Sequence, residues 1–189
     1  MGKAVPVGWL YSVSPHFGDR FWTLYNLTYV PTHVTDGIDV IVGGSYAVYL
    51  NAFNKRENVP SPLTLAFVSK SATTSQAYVK VKVALDEAVG GGKKVFVVMW
   101  EDRAQGGSYT WRYTERDTGS HDLTVTSKGQ EQVFENTFPV TGYNLDNLGV
   151  SVFVQDVSGT KEILNGDAAT FSEAAVEPKS LGRVKAIFK

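Results

Sequence analysis

The 189-residue chain contains no cysteine, which excludes disulfides, thiolate metal sites and thiol catalysis and leaves stability to packing and hydrogen bonding. It also lacks charge of one sign. Its 18 Lys and Arg against 19 Asp and Glu give a formal net charge of −1, with no basic or acidic tract of the kind that binds nucleic acid. No apolar run approaches the ~20 residues needed to cross a bilayer. Residues 1–3 lead directly into a strand-like stretch without a signal-peptide apolar region, so the chain is expected to be cytoplasmic or a mature exported form. The three histidines, His16, His33 and His121, show no metal-ligand spacing. No metal, cofactor or catalytic residue is therefore expected.

Hydrophobic residues at 43 % and charged residues at 20 % are globular values that supply a core. Residues 4–12 are strand-like, 19–27 helix-like, 30–32 open a second strand and 37–44 complete a hairpin. Tyr46, Tyr49, Leu50 and Phe53 then fall at i, i+3, i+4 and i+7, the stripe of an amphipathic helix with Ser45 as its candidate cap. Pro60 and Pro62 end it and mark a domain boundary.

Beyond the boundary the period changes to 2. Val79, Val81, Val83 and Leu85 alternate with Lys80 and Lys82, a half-buried antiparallel strand, whereas residues 95–100 are apolar on both faces, as in a central strand. Further strands are expected at 63–69, 108–115, 123–126, 130–138, 150–155 and 162–164. The breaks, read as turns, carry Gly-Gly-Gly, Thr-Gly-Ser, Lys-Gly and Ser-Gly. This pattern indicates an immunoglobulin-like sandwich. The expected division is 1–59, 60–171 and a tail, 172–189.

Several stretches carry a wider resemblance. They are residues 25–32 (YNLTYVPT), Asp36-Gly37 with Val42-Gly43-Gly44, residues 60–65 (PSPLTL), 96–102 (FVVMWED), 148–156 (LGVSVFVQD), 161–164 (KEIL) and 182–186 (GRVKA). In order and spacing they resemble an extracytoplasmic bacterial family, typified by outer-membrane lipoproteins, that joins a thioredoxin-like half to an immunoglobulin-like sandwich. The resemblance implies an α+β fold: a truncated thioredoxin-like α/β subdomain followed by an antiparallel immunoglobulin-like β-sandwich. It implies that Val30 and Pro31 form the cis-proline turn of thioredoxin folds, and that the protein is extracellular or at the cell surface. The sequence begins after the position of the family's Cys-x-x-Cys helix, so oxidoreductase activity is not expected. An upstream in-frame Cys-x-x-Cys would restore a vestigial redox reading.

In a thioredoxin sheet the missing strand would lie between residues 4–12 and 32–36, and both edges would be left seeking a partner. The leading expectation is a non-enzymatic structural or interaction protein that self-associates, as a homo-oligomer or filament, by β-strand complementation. Val184, Ala186 and Phe188, with Ile187 on the other side, make the C-terminal segment a candidate assembly tail. An alternative is a carbohydrate- or surface-binding module. Tyr109, Trp111 and Tyr113 alternate along one expected strand face, with Arg112 among the residues opposite, although the same pattern also describes a core face. Asn26-Leu27-Thr28 completes a glycosylation sequon and makes Asn26 a candidate acceptor, a match that on an expected helix arises more often by chance.

Overall fold

The computed structural model describes residues 5–11, 13–106 and 109–171. The candidate tail residues Val184, Ala186, Ile187 and Phe188 lie outside the described residues. The chain is mostly antiparallel β-sheet with few helices. A π-helical turn, Asp19–Leu24, precedes a hairpin of β1 (Thr32–Thr35) and β2 (Asp39–Val42) and helix α1 (Tyr46–Arg56). Nine strands follow: β3 (Leu63–Ala72), β4 (Gln76–Leu85), β5 (Lys93–Glu101), β6 (Ala104–Gly106), β7 (Tyr109–Trp111), β8 (Thr114–Asp122), β9 (Glu131–Pro139), β10 (Leu148–Asp156) and β11 (Ile163–Thr170).

Two sheets, ordered β3-β4-β9 and β11-β10-β5-β8, enclose the main core. The alternation in β4 buries Val79, Val81, Val83 and Leu85 against Val95, Val97 and Met99 of β5 and Val150, Val152 and Val154 of β10. Each buried side chain of this size adds about 1.5–3 kcal/mol. Strand β5 is apolar on both faces for a second reason. Its alternate residues Phe96 and Val98, with Phe153 of β10, form a separate cluster on the outer face of the four-stranded sheet, covered by Val7 and Trp9.

That cover changes the expected role of residues 4–12. Among them the described residues 5–11 form no strand beside the hairpin. Gly8 makes a single parallel bridge to Thr114, donating to the Tyr113 carbonyl at 2.7 Å and accepting from the Glu115 amide at 2.8 Å. The outer sheet face offers Val7 and Trp9 far more apolar surface than a two-stranded hairpin can.

Other boundaries moved for local reasons. Residues 114–122 form one strand, and the Thr-Gly-Ser read as a turn lies inside it, because a Cβ at Gly119 would meet Asn136 Nδ2 at 1.8 Å. Residues 123–126 are not a strand; Leu123 is buried and its amide donates to the Lys93 carbonyl at 3.0 Å. Helix α1 is rotated from the expected stripe. Its hairpin-facing side is Tyr49, Ala52, Phe53 and Arg56, while Tyr46 and Leu50 are exposed. Ser45 occupies the cap position with its backbone extended, but its hydroxyl makes no capping bond.

Trp100 lies along the outer face, where its indole Nε1–H donates to Ser151 Oγ at 2.9 Å. This position depends on Gly149, whose Cβ would lie 2.2 Å from Trp100 Cη2. Gly149→Ala is expected to destabilise the fold by about 1–3 kcal/mol through overpacking. Gly91→Ala, with open space around it, serves as the control. Urea denaturation of both variants checks this, and equal midpoints would contradict it.

Candidate functional site

The N-terminal segment is joined to the sandwich by two arginines. Arg20 of the π-helical turn is only 6 % exposed. Its guanidinium carbon lies 4.7 Å from the Phe96 ring centre, 5.1 Å from Trp9 and 5.3 Å from both Tyr25 and Phe153. Nη2 donates to the Tyr25 hydroxyl at 3.1 Å, whereas Nε and Nη1 have no hydrogen-bond partner among the described residues. Burial pulls this arginine below its ordinary pKa, with Tyr25 acting in the opposite direction. The charge is therefore held by ring faces, each worth about 0.5–2 kcal/mol, rather than by a carboxylate. Gln155 of β10 donates to the same Tyr25 hydroxyl at 2.7 Å and to the Lys161 carbonyl at 2.6 Å.

Arg56 of α1 forms the second junction. Its Nε donates to Asp36 at 3.1 Å and its Nη2 to Glu162 in the β10–β11 loop. Burial opposes the charge, but Glu162 and Asp36 hold the guanidinium above its ordinary range. The hairpin turn docks beside it. Asp36 and Gly37 both adopt positive φ, 46° and 77°, as an Asp-Gly turn allows. The Asp36 carbonyl accepts from the Ile163 amide at 2.7 Å, and a Cβ at Gly37 would sit 1.9 Å from the Lys161 carbonyl oxygen. A cleft of about 230 Å³ runs along this seam, lined by Asp36, Arg56, Val59, Pro60, Pro62, Glu162, Ile163 and Leu164. Both carboxylates in it are already paired with Arg56.

The hairpin itself is covered on one face only. His33, Thr35, Asp39 and Ile41 share the α1 side, where the His33 and Tyr49 rings lie 4.7 Å apart. Thr32, Val34, Val40 and Val42 share the other, where Val40 is 45 % and Val42 58 % exposed. Strand β1 has β2 as its only sheet neighbour among the described residues. The Gly43 amide donates to the Pro31 carbonyl at 2.8 Å. Antiparallel alternation therefore turns His33 and Thr35 toward β2, and the backbone N–H and C=O groups of Thr32 and Val34 away from it. The Val30–Pro31 peptide leading into β1 is cis, and Val30 is exposed.

The expected aromatic strand is divided. Tyr109 and Trp111 lie in the short β6–β7 hairpin, 68 % and 41 % exposed, with ring centres 5.7 Å apart. Strand β7 then ends. Arg112 pairs with Asp102, and Tyr113, at φ 51°, turns its ring edge-on to Trp100 at 5.1 Å. The continuous three-ring face is thus reduced to a pair, because Tyr113 is drawn toward the buried indole. Asn26 is exposed at φ 51°, just beyond the π-helical turn rather than within a helix. The histidines are dispersed: besides His33, His16 pairs with buried Glu115 at 2.8 Å and His121 with Asn136 at 2.6 Å.

Arg20, Gln155 and Arg56 were not singled out by the sequence, because their partners come from distant segments. The aromatic character of residues 21–25 was the only local signal for the Arg20 cage.

No protein-family model matches the sequence, and no curated protein is similar to it. Among solved structures, HBP35 of Porphyromonas gingivalis superposes with a TM-score of 0.66 at 15 % identity, covering 88 % of this chain and 60 % of that one. The two share a fold, and this chain spans 60 % of the length of HBP35. A β-glucosidase from Kluyveromyces marxianus matches 60 % of this chain and 14 % of its own at a TM-score of 0.36 and 11 % identity. β-Glucuronidase 2 of Bacteroides uniformis reaches 0.37 at 14 % identity, over 57 % and 12 % of the two chains. Among the described residues no helix is long and apolar enough to cross a membrane.

The exposures of the two tryptophans lead to opposite expectations. Trp111→Ala should change folding stability by less than about 1 kcal/mol, whereas Trp100→Ala should cost about 3–5 kcal/mol as a core truncation. Chemical denaturation followed by far-ultraviolet circular dichroism checks both. A large loss at Trp111 would make it a core residue.

Proposed function

We propose that the chain is a non-enzymatic extracellular interaction protein that self-associates by accepting a β-strand at the outer edge of β1. On this reading residues 1–59 are the back half of a thioredoxin-like domain and 60–171 an immunoglobulin-like sandwich. The fold shared with HBP35 supports the arrangement. The observation that carries the function is the hairpin: a β1 edge unpaired among the described residues, beside an apolar face on which Val40 and Val42 are exposed and Val34 is half-buried. An open edge of this kind pairs with any strand offered to it, and an added strand would supply backbone partners to Thr32 and Val34 and bury the valines. The absence of cysteine removes the dithiol chemistry of thioredoxin folds.

A second reading rests on the Tyr109–Trp111 pair. Two exposed rings on a short hairpin, beside the Arg112–Asp102 ion pair, form a small amphipathic platform for a sugar ring or another surface. A Trp111→Ala variant that loses retention on an insoluble polysaccharide while still self-associating would favour it.

Val34→Pro tests the leading reading. Proline removes an N–H that faces away from β2, so the β1–β2 ladder survives while strand addition is blocked. Sedimentation velocity should show concentration-dependent association of the unaltered chain and a monomer for Val34→Pro. Monomers for both, or unchanged association of the variant, would sink the proposal.

A further inference from the structure

Independently of the hairpin, we infer that Asn165 and Gly166 of β11 form a self-modification site: the asparagine converts to aspartate or isoaspartate as the protein ages and loosens the seam between the two sheets. Asn165-Gly166 is the only Asn-Gly pair in the chain. Strand β11 ends the order β11-β10-β5-β8, so one side of its backbone faces away from the ladder. The Phe171 amide donates to the Leu148 carbonyl of β10. Antiparallel alternation then turns the amides of Asn165, Asp167 and Ala169 toward β10, and those of Gly166 and Ala168 outward. The outward Gly166 amide donates instead to Asn165 Oδ1 at 2.8 Å. Nucleophile and carboxamide are therefore already in contact.

The fold does not call for glycine at residue 166. Its φ is not positive. A Cβ there would meet Phe153 Cβ and the Val152 carbonyl oxygen at 3.4 Å and Val5 Cγ2 at 3.5 Å, ordinary packing distances. Glycine in a strand weakens it, and what it supplies here is an amide nitrogen with no side chain to hinder attack on its neighbour. Ring closure needs Asn165 to leave the extended conformation. The ladder is interrupted beside it: Val154 pairs with Asn165 and Gln155 with Ile163, leaving Leu164 without an opposite residue.

The step needs only water. Solvent base removes the Gly166 N–H proton, the nitrogen forms a bond to Asn165 Cγ, and the Cγ–Nδ2 bond breaks. Nδ2 leaves as ammonia, taking a proton from water. A second water opens the five-membered imide at either carbonyl, giving aspartate or isoaspartate. The departing nitrogen is a structural one. Asn165 Nδ2 donates to the Leu63 carbonyl of β3 at 2.8 Å, and Lys70 Nζ of β3 donates to the Thr170 carbonyl at 2.7 Å. These two bonds join β3 to β11 across the sandwich. Conversion replaces the first with a carboxylate oxygen beside a carbonyl oxygen, a donor lost and two acceptors opposed; the Leu63 carbonyl keeps only Ser61 Oγ.

Peptide mapping by mass spectrometry after incubation of the whole chain at mildly alkaline pH tests the site. The mass gain of an amide-to-acid conversion should accumulate at Asn165 ahead of every other asparagine. In Gly166→Ala, which the packing tolerates, conversion at Asn165 should fall to the level of the others while the urea midpoint is kept. Asn165→Asp, which carries the product, should lower that midpoint, as should ageing of the unaltered chain but not of Gly166→Ala. Conversion at Asn165 no faster than elsewhere, or undiminished in Gly166→Ala, would overturn the site. Conversion with the midpoint unchanged, in both the aged chain and Asn165→Asp, would overturn the loosening of the seam.

Discussion

The Arg20 guanidinium, buried among Trp9, Tyr25, Phe96 and Phe153 with one hydrogen bond, is the constraint on which the first third of the chain depends. An unpaired buried charge is costly, and here the compensation comes from ring faces of two different bodies. Trp9 and Tyr25 belong to the N-terminal segment, Phe96 and Phe153 to the sandwich. Without the sandwich the cation loses half of its cage, and without the segment the outer face of the four-stranded sheet loses its cover. Arg56, spanning Asp36 and Glu162, fixes the hairpin turn to the same end of the sandwich.

This docking determines which surface stays open. Val7 and Trp9 cover Phe96, Val98 and Phe153, and no described residue before the hairpin forms a strand beside β1. The hairpin is left with α1 on one face and Val40 and Val42 exposed on the other. The expectation of two open edges is thus corrected to one relevant edge, at β1, since the segment expected to form the other is committed to the sandwich.

Strands that alternate sharply were legible in the sequence. β4 places Val79, Val81 and Val83 inward and lysines outward, and burial alone requires that register. Polar edge strands were not legible. Strand β8 reads TERDTGSHD and β11 reads ILNGDAAT; both sit at sheet edges, where ladder hydrogen bonds rather than apolar side chains define the strand. The apolar outer positions of β5 were read as those of a central strand, but what covers them, a segment some ninety residues upstream in the sequence, has no local signature. The same holds for the candidate site. Tyr109 and Trp111 stand out as an alternating pair, whereas the turn at Tyr113 is set by tertiary contact with Trp100.

The account rests on a sandwich that holds its N-terminal segment through Arg20. Native-state hydrogen exchange of Arg20→Ala tests this most directly. Protection should fall in the amides of residues 5–25, the β1–β2 hairpin and α1, while β4, β5 and β10 keep theirs. A uniform loss across the sandwich, or unchanged protection throughout, would contradict it.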